Sequence, residues 1–224
     1  MKLLKLTALF LLVANTLIAQ EHSTANDNAD SIINWLKKGN DEFEKNNYNL
    51  HAIDTKLRIE LSKAQHPKAV ILTCSDSRVP PELVFNKGLG DLFVIRVAGN
   101  ITDNAVTGSI EYAAEHLHTQ LVVVMGHTGC GAVAAAVEDL KENKPSEIKD
   151  HVRELTDKIE EAVTFINEPE ADPIKKALIS NIKYTITLLR NSHPTLNELI
   201  RKHELKIVGA VYHLDSGDVE WLNY

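Results

Sequence analysis

The apolar positions of this chain follow two periods. From Asp30 onward Ile32, Ile33, Trp35, Leu36 and Phe43 recur at spacings of three and four, and Ile53, Leu57 and Leu61 continue the pattern. That periodicity predicts two amphipathic helices. Thereafter the apolar residues come in short unbroken runs, at 69–73, 92–97, 121–125 and 207–212, rich in β-branched side chains and without alternation. Such strands are buried on both faces, as in a parallel sheet. Between them Pro80-Pro81-Glu82 opens a short helix and residues 105–118 supply a longer one, which gives the strand, turn, helix rhythm of βαβ units. Residues 146–202, beginning at Ser146, are helical in pattern, broken at Pro169, Pro173 and Pro194, the last following Ser192 in a helix-start context. They form a helical cover, not a further domain. After Tyr212 the run Asp215-Ser216-Gly217-Asp218 marks a turn, so the last apolar residues return as an antiparallel edge. The expected fold is α/β: a mainly parallel four-stranded sheet with an antiparallel edge strand, flanked by helices.

The N-terminus changes the picture of where the chain works. MKLLK is followed by LTALFLLVANTLIA and then by polar residues from Gln20, which reads as a cleavable export signal over residues 1–19. A flexible lead-in at 20–29 and a single domain at 30–224 follow. The apolar stretch is short for a membrane span, and no later segment approaches the roughly 18 apolar residues a span needs, so no stable membrane anchor is expected. The expected location is the periplasm, or outside the cell. The formal net charge is −7, and loss of Lys2 and Lys5 with the signal makes the remainder more acidic. Nucleic acid and anionic membrane are therefore excluded as expected partners.

The chemistry is carried by two short stretches, CSDSR at 74–78 and HTGCG at 127–131, which contain the two cysteines of the chain. Each directly follows a predicted strand, and active sites of open α/β sheets lie at the carboxyl ends of the strands. A disulfide is the competing reading for an exported protein, yet each cysteine sits among residues that a staple does not need. A catalytic zinc takes three protein ligands and keeps a fourth position open. Cys74, His127 and Cys130 supply three, leaving the fourth for water or Asp76. Two thiolates cancel the charge of the ion, so a bound water is less acidified than beside three neutral imidazoles. Asp76 and Arg78 answer that need as a charge-assisted pair in which the arginine keeps the acid ionised. An ordinary surface ion pair of little consequence is the alternative.

The runs CSDSRVPPELVFNKGLGDLFVIRVAGN, GSIEYA, LVVVMGHTGCGAV and GAVYHLDSGDVEWL together resemble the β-class carbonic anhydrases. The resemblance implies reversible hydration of carbon dioxide to bicarbonate and a proton, with one Zn2+ per subunit held by Cys74, His127 and Cys130. Asp76 and Arg78 are the implied catalytic dyad, orienting a zinc-bound hydroxide. Gln65, Phe93 and Tyr112 match substrate-binding positions of an apolar pocket that the family completes across a dimer interface. Gly129 and Gly131 permit a tight turn, and a backbone amide at Gly131 is expected to meet substrate. A homodimer or dimer of dimers is implied, with the N-terminal helices, including Trp35, as candidates to lie on the partner; the alternative is packing on the core of their own chain. Some members close the site by moving the aspartate onto zinc, using a pocket whose tryptophan corresponds to Ile71 here. Arg96 and Tyr212 match other positions of that pocket. Without the tryptophan the open form is expected, with Asp76 only a conditional fourth ligand. Among ten histidines no proton shuttle stands out. The rival readings are a hydrolase of carbon disulfide or carbonyl sulfide on the same fold, a non-catalytic zinc-binding or redox module, and a zinc alcohol dehydrogenase. Against the last, no GxGxxG follows a strand.

Overall fold

Strand β1 (Ala69–Thr73) and strand β3 (Leu121–His127) are buried at every residue, the condition their unbroken apolar runs predict. They lie side by side in the middle of one sheet of order β2-β1-β3-β4-β5. β2 (Leu92–Arg96), β1, β3 and β4 (Lys206–Tyr212) run parallel, and β5 (Val219–Leu222) returns antiparallel to β4. These elements come from a computed structural model that describes residues 28–48, 53–142, 151–165, 171–191 and 194–223. The proposed signal and nearly all of the lead-in lie outside the described residues, as do Ser146, Pro169 and Ser192.

Alternate side chains of the central strands feed two cores. On one face Val70, Leu72, Val122 and Val124 pack with Ile110 of α4 (Asn104–His116), Val133 of α5 (Gly131–Glu142), Ile159 of α6 (His151–Phe165), Ile182 of α7 (Pro173–Asn191) and Leu196 of α8 (Thr195–Arg201). On the other Ile71, Val123 and Met125 pack with Ile32 and Leu36 of α1 (Ala29–Glu44) and Val84 of α3 (Pro81–Val84). No helix among the described residues is long and apolar enough to cross a membrane.

Three elements depart locally from expectation. β3 continues past Met125 to His127 because β4 still pairs with it there, Gly126 opposite Val211 and His127 opposite Tyr212. Gly126 lets α7 pack close to this end of the strand, since a Cβ would lie 2.6 Å from Leu178 Cδ1. The short helix α2 (Thr55–Leu61) is capped by Asp54 and buries Leu57, whereas Ile53 precedes it and is exposed. The helix α5, which begins one residue after Cys130, was not predicted.

The first helix, α1, is tied closely to the same chain. Asn28 caps it with a reciprocal bond to Ser31, and Ile32 and Leu36 lie in the core of their own chain. Gly39 brings the helix so close to α3 that a Cβ there would stand 1.8 Å from the Phe85 carbonyl oxygen. Beside it the buried Asn40 donates to the carbonyls of Val84 and Gly217 and accepts from the Val219 N–H. A buried amide satisfied three ways fixes one docking geometry. Trp35 is flanked by the ammonium groups of Lys87 and Lys68, 4.0 and 5.4 Å from the ring centroid.

Candidate metal centre

Because β1 and β3 are parallel neighbours, their carboxyl ends reach the same edge of the sheet. Cys74 follows β1, His127 closes β3, and Cys130 precedes the first turn of α5. All three are buried, and their ligand atoms lie within 4.8 Å of one another. The cysteines are free thiols with Sγ atoms 4.0 Å apart, so the disulfide reading fails.

Each donor is prepared by its surroundings. The contact with Cys130 holds the Cys74 thiol well below the usual thiol range, helped by His127 and by the backbone N–H groups of Gly99 and Asp76. The same sulfur contact, with burial, pushes Cys130 up, while backbone N–H groups of Val133 and Ala132 at the start of α5 act the other way. That is where a helix N-terminus favours negative charge. His127 Nδ1 lies 2.9 Å from the Thr128 carbonyl oxygen. An N–H there donates to the carbonyl and leaves the lone pair on Nε2. Nε2 is buried and has no hydrogen-bond partner, an arrangement that costs stability unless another partner is supplied. An orphaned imidazole nitrogen facing two sulfurs fits a borderline-soft cation such as zinc.

The loops are held by residues that are not ligands. Thr128 donates its N–H to the Tyr212 carbonyl and accepts the Leu214 N–H at Oγ1, both at 3.0 Å. Gly129 has φ 68°, in the left-handed region that favours glycine. Gly131 has no positive φ, and a Cβ there would meet nothing within 4 Å. The turn therefore requires Gly129 and not Gly131, which opens α5. Behind Cys74, Gly99 donates its N–H to Sγ at 3.4 Å. Its turn is pinned to α7 by Asn181 Nδ2 on the Gly99 carbonyl at 2.6 Å and Thr185 Oγ1 on that of Asn100 at 3.4 Å.

Asp76 and Arg78 form a two-pronged pair. Oδ1 accepts from the Arg78 backbone N–H and from Nε, both at 2.9 Å, and Oδ2 accepts from Nη2 at 2.7 Å. Those bonds to Arg78 hold the Asp76 carboxyl well below the usual carboxylate range. The arginine side chain is 57% exposed, as a surface pair would be, but Asp76 is 17% exposed and its Oδ2 lies 3.9 Å from His127 Nε2. The pair therefore borders the ligand cluster, and Arg78 Nη2 also reaches the Gly129 carbonyl at 3.4 Å.

A family model described as Carbonic anhydrase matches residues 69–219, which contain this cluster. The fold superposes on that of the β-carbonic anhydrase CcaA with TM-score 0.63 at 27% identity, over 86% of this chain and 96% of that one. The chain belongs to the β-carbonic anhydrase family. Carbonic anhydrase 2 of Mycobacterium tuberculosis (strain CDC 1551 / Oshkosh) is 35% identical over 192 residues, 85% of this chain and 92% of the relative. A tetrameric β-carbonic anhydrase of Sordaria macrospora is 25% identical with TM-score 0.64, covering 76% and 88% of the two chains.

In this β-carbonic anhydrase the other three expected site residues lie apart from the ligands. Gln65 and Tyr112 share a surface groove with Leu61, His66, His116 and His118, and the Phe93 ring centroid is 6.4 Å from that of Tyr112. Cys74, Asp76, Arg78, His127 and Cys130 do not line that groove. Ile71 and Tyr212 are buried together in the α1-side core. Gly99, Thr128 and Asn181 are the contributors that sequence reasoning missed. The pair Gly99-Asn100 after a strand is a turn signal that marks the first, whereas an asparagine within α7 carries no local sign of its role.

Proposed function

We propose that this β-carbonic anhydrase reversibly hydrates carbon dioxide to bicarbonate and a proton, using one zinc ion held by Cys74, His127 and Cys130. The observation that carries the reading is the orphaned His127 Nε2, buried between two thiols with the Asp76 carboxylate 3.9 Å away. Zinc at such a site supplies Lewis acidity that brings the pKa of a water toward neutrality. Asp76, kept ionised by the Arg78 fork, accepts a hydrogen bond from the attacking water and fixes its orientation. Its ionisation also keeps it from donating in return. Arg78 holds the carboxylate in place and, through the Gly129 carbonyl, couples it to the loop of the other two ligands.

Carbon dioxide needs an apolar recess beside this centre. Gln65 and Tyr112 line a groove to which the candidate ligands of their own chain do not contribute, and the Phe93 ring lies beside that of Tyr112. We propose that a second copy brings that groove to the metal centre, in a dimer or dimer of dimers, as the resemblance implies. We propose further that the enzyme is exported, on the strength of the basic start and apolar stretch at residues 1–19. Bicarbonate and carbon dioxide are then its partners outside the cytoplasm.

The test is zinc content together with stopped-flow hydration of carbon dioxide against pH, for the wild type and Asp76→Asn. Expected are one zinc per chain in both proteins and a loss of about 100-fold or more in hydration for the variant. A wild-type protein loaded with one zinc that hydrates no faster than buffer refutes the reading.

A further inference from the structure

Arg96 is the last residue of β2 and its side chain is exposed. The Val97 N–H donates to the Thr73 carbonyl at 3.0 Å, which carries the β1–β2 ladder one step past the paired strands. There the chain turns away through residues 98–100, with Gly99 and Asn100 both at positive φ. On its β2 side the loop after β1 has no strand beside it beyond that point, yet it must hold Cys74 and Asp76 at fixed positions. The Arg96 guanidinium fills the gap. Its Nε donates to the Cys74 carbonyl oxygen at 3.1 Å, and its Nη2 donates to that of Asp76. One planar fork thus grips the backbone at a metal ligand and at the acid two residues on.

We propose that Arg96 is a positioning residue for the metal centre: its side chain extends the β2 edge of the sheet by two rungs and sets where Cys74 Sγ and the Asp76 carboxylate stand. This role presupposes that Cys74 is a zinc ligand. The fork works with the turn that follows it. Gly99 bonds the Cys74 sulfur while Arg96 bonds the Cys74 carbonyl, so a single segment fixes the ligand from both sides of its Cα. A guanidinium suits the task because it presents donors in a rigid plane, whereas an ammonium on a flexible stem meets one carbonyl at a time. The side chain is exposed and outside both cores, so its removal leaves the hydrophobic packing intact.

The test compares the wild type, Arg96→Gln, Arg96→Lys and the distant exposed control Arg201→Gln. Zinc affinity is measured by competition with a chromophoric chelator, and the cobalt-substituted proteins are read by their thiolate-to-metal absorption. Removing partners of ligand groups typically weakens metal affinity 10- to 100-fold. Arg96→Gln is expected at about the lower end of that range, with a shifted cobalt spectrum and an unchanged unfolding midpoint in the metal-free state. Arg96→Lys is expected to fall between Arg96→Gln and the wild type, and millimolar methylguanidine is expected to restore part of the Arg96→Gln loss. Arg201→Gln is expected to match the wild type. Affinity within twofold of wild type in Arg96→Gln overturns the proposal. So does full recovery in Arg96→Lys, because charge alone would then suffice. If Arg96→Gln does not fold, the lysine variant decides: wild-type affinity and spectrum overturn the role, and weakened affinity with a shifted spectrum supports it. A wild type that takes up no zinc refutes the proposed function itself, a result distinct from zinc uptake that ignores Arg96.

Discussion

Replacing a helical glycine by alanine is expected to act in opposite directions at Gly39 of α1 and Gly108 of α4. In an exposed helix interior the change stabilises by about 1 kcal/mol, because alanine loses less backbone freedom on folding. Gly108 is such a site, since a Cβ there meets nothing within 4 Å. At Gly39 a Cβ would stand 1.8 Å from the Phe85 carbonyl oxygen and 2.6 Å from Lys87 Nζ. The lysine can swing aside, but the carbonyl belongs to the backbone next to α3. Restoring ordinary contact requires α1 to retreat by roughly 1.5 Å, and a gap of even 0.5–1 Å forfeits about a quarter to a half of each dispersion contact. The contacts at stake are those of Ile32 and Leu36, at about 1.5–3 kcal/mol each, and three hydrogen bonds of Asn40 at about 1 kcal/mol each. Losing roughly half of that total, against the helix gain, gives a net destabilisation of about 2–4 kcal/mol for Gly39→Ala. Urea unfolding at fixed protein concentration and metal content measures both variants, with the slope checked for constancy. Shifts of the same sign, or Gly39→Ala within about 0.5 kcal/mol of wild type, refute the close approach of α1 and α3.

Two further outcomes follow from charge and metal linkage. Burial lowers the Lys87 pKa from 10.5 to about 8, so between those values the unfolded chain binds more protons and stability rises with pH. The rise is on the order of 3 kcal/mol at most, reduced by the Trp35 contact that favours the ammonium; Lys87→Met is expected to flatten the pH 8–10 difference in unfolding free energy, and an unchanged difference contradicts the assignment. Excess dipicolinate is expected to lower the thermal midpoint of the zinc-loaded protein, by about 4 kcal/mol of lost linkage where free zinc had stood near 1,000 times its dissociation constant. A midpoint that ignores the chelator argues against a native-state metal site.

The parts of this protein that were legible in the sequence are those fixed by local chemistry. The apolar runs of β1, β3 and most of β4 announced burial on both faces, and the turn at residues 215–218 announced β5, because side-chain period and turn residues report directly on neighbouring backbone. The run of β2 misled, because β2 is the edge strand of the sheet and is only half-buried. The cluster of Cys74, His127 and Cys130 was legible for a related reason: few residue types bind zinc, and both cysteines follow strands. The extension of β3 to His127 was not, since it depends on which strand pairs alongside. Nor was the start of α5, where Gly131, a poor helix former, stands first. The placement of α1 stayed open because its amphipathic pattern gives the existence of an apolar face and not its target. What selects the target is Gly39 and Asn40, whose partners at Phe85 and Gly217 are remote in sequence. Arg96 was noticed only for a family pocket, and its hold on two carbonyls belongs to tertiary geometry.

Register joins the core to the metal centre. Thr73 pairs with Met125, which sets Cys74 level with Gly126 and one step short of His127. Slipping β1 by one residue against β3 moves its ligand by about 3.3 Å along the strand direction, comparable to the whole spread of the three donor atoms. The same slip exchanges Val70 and Leu72 with Ile71, turning side chains made for one core toward the other. Packing on both faces of the sheet therefore rejects the one-residue slips that would scatter the candidate ligands. The geometry of the candidate ligands is specified by residues outside their cluster, and core substitutions in β1 or β3 that conserve volume are expected to leave zinc affinity, measured by chelator competition, unchanged.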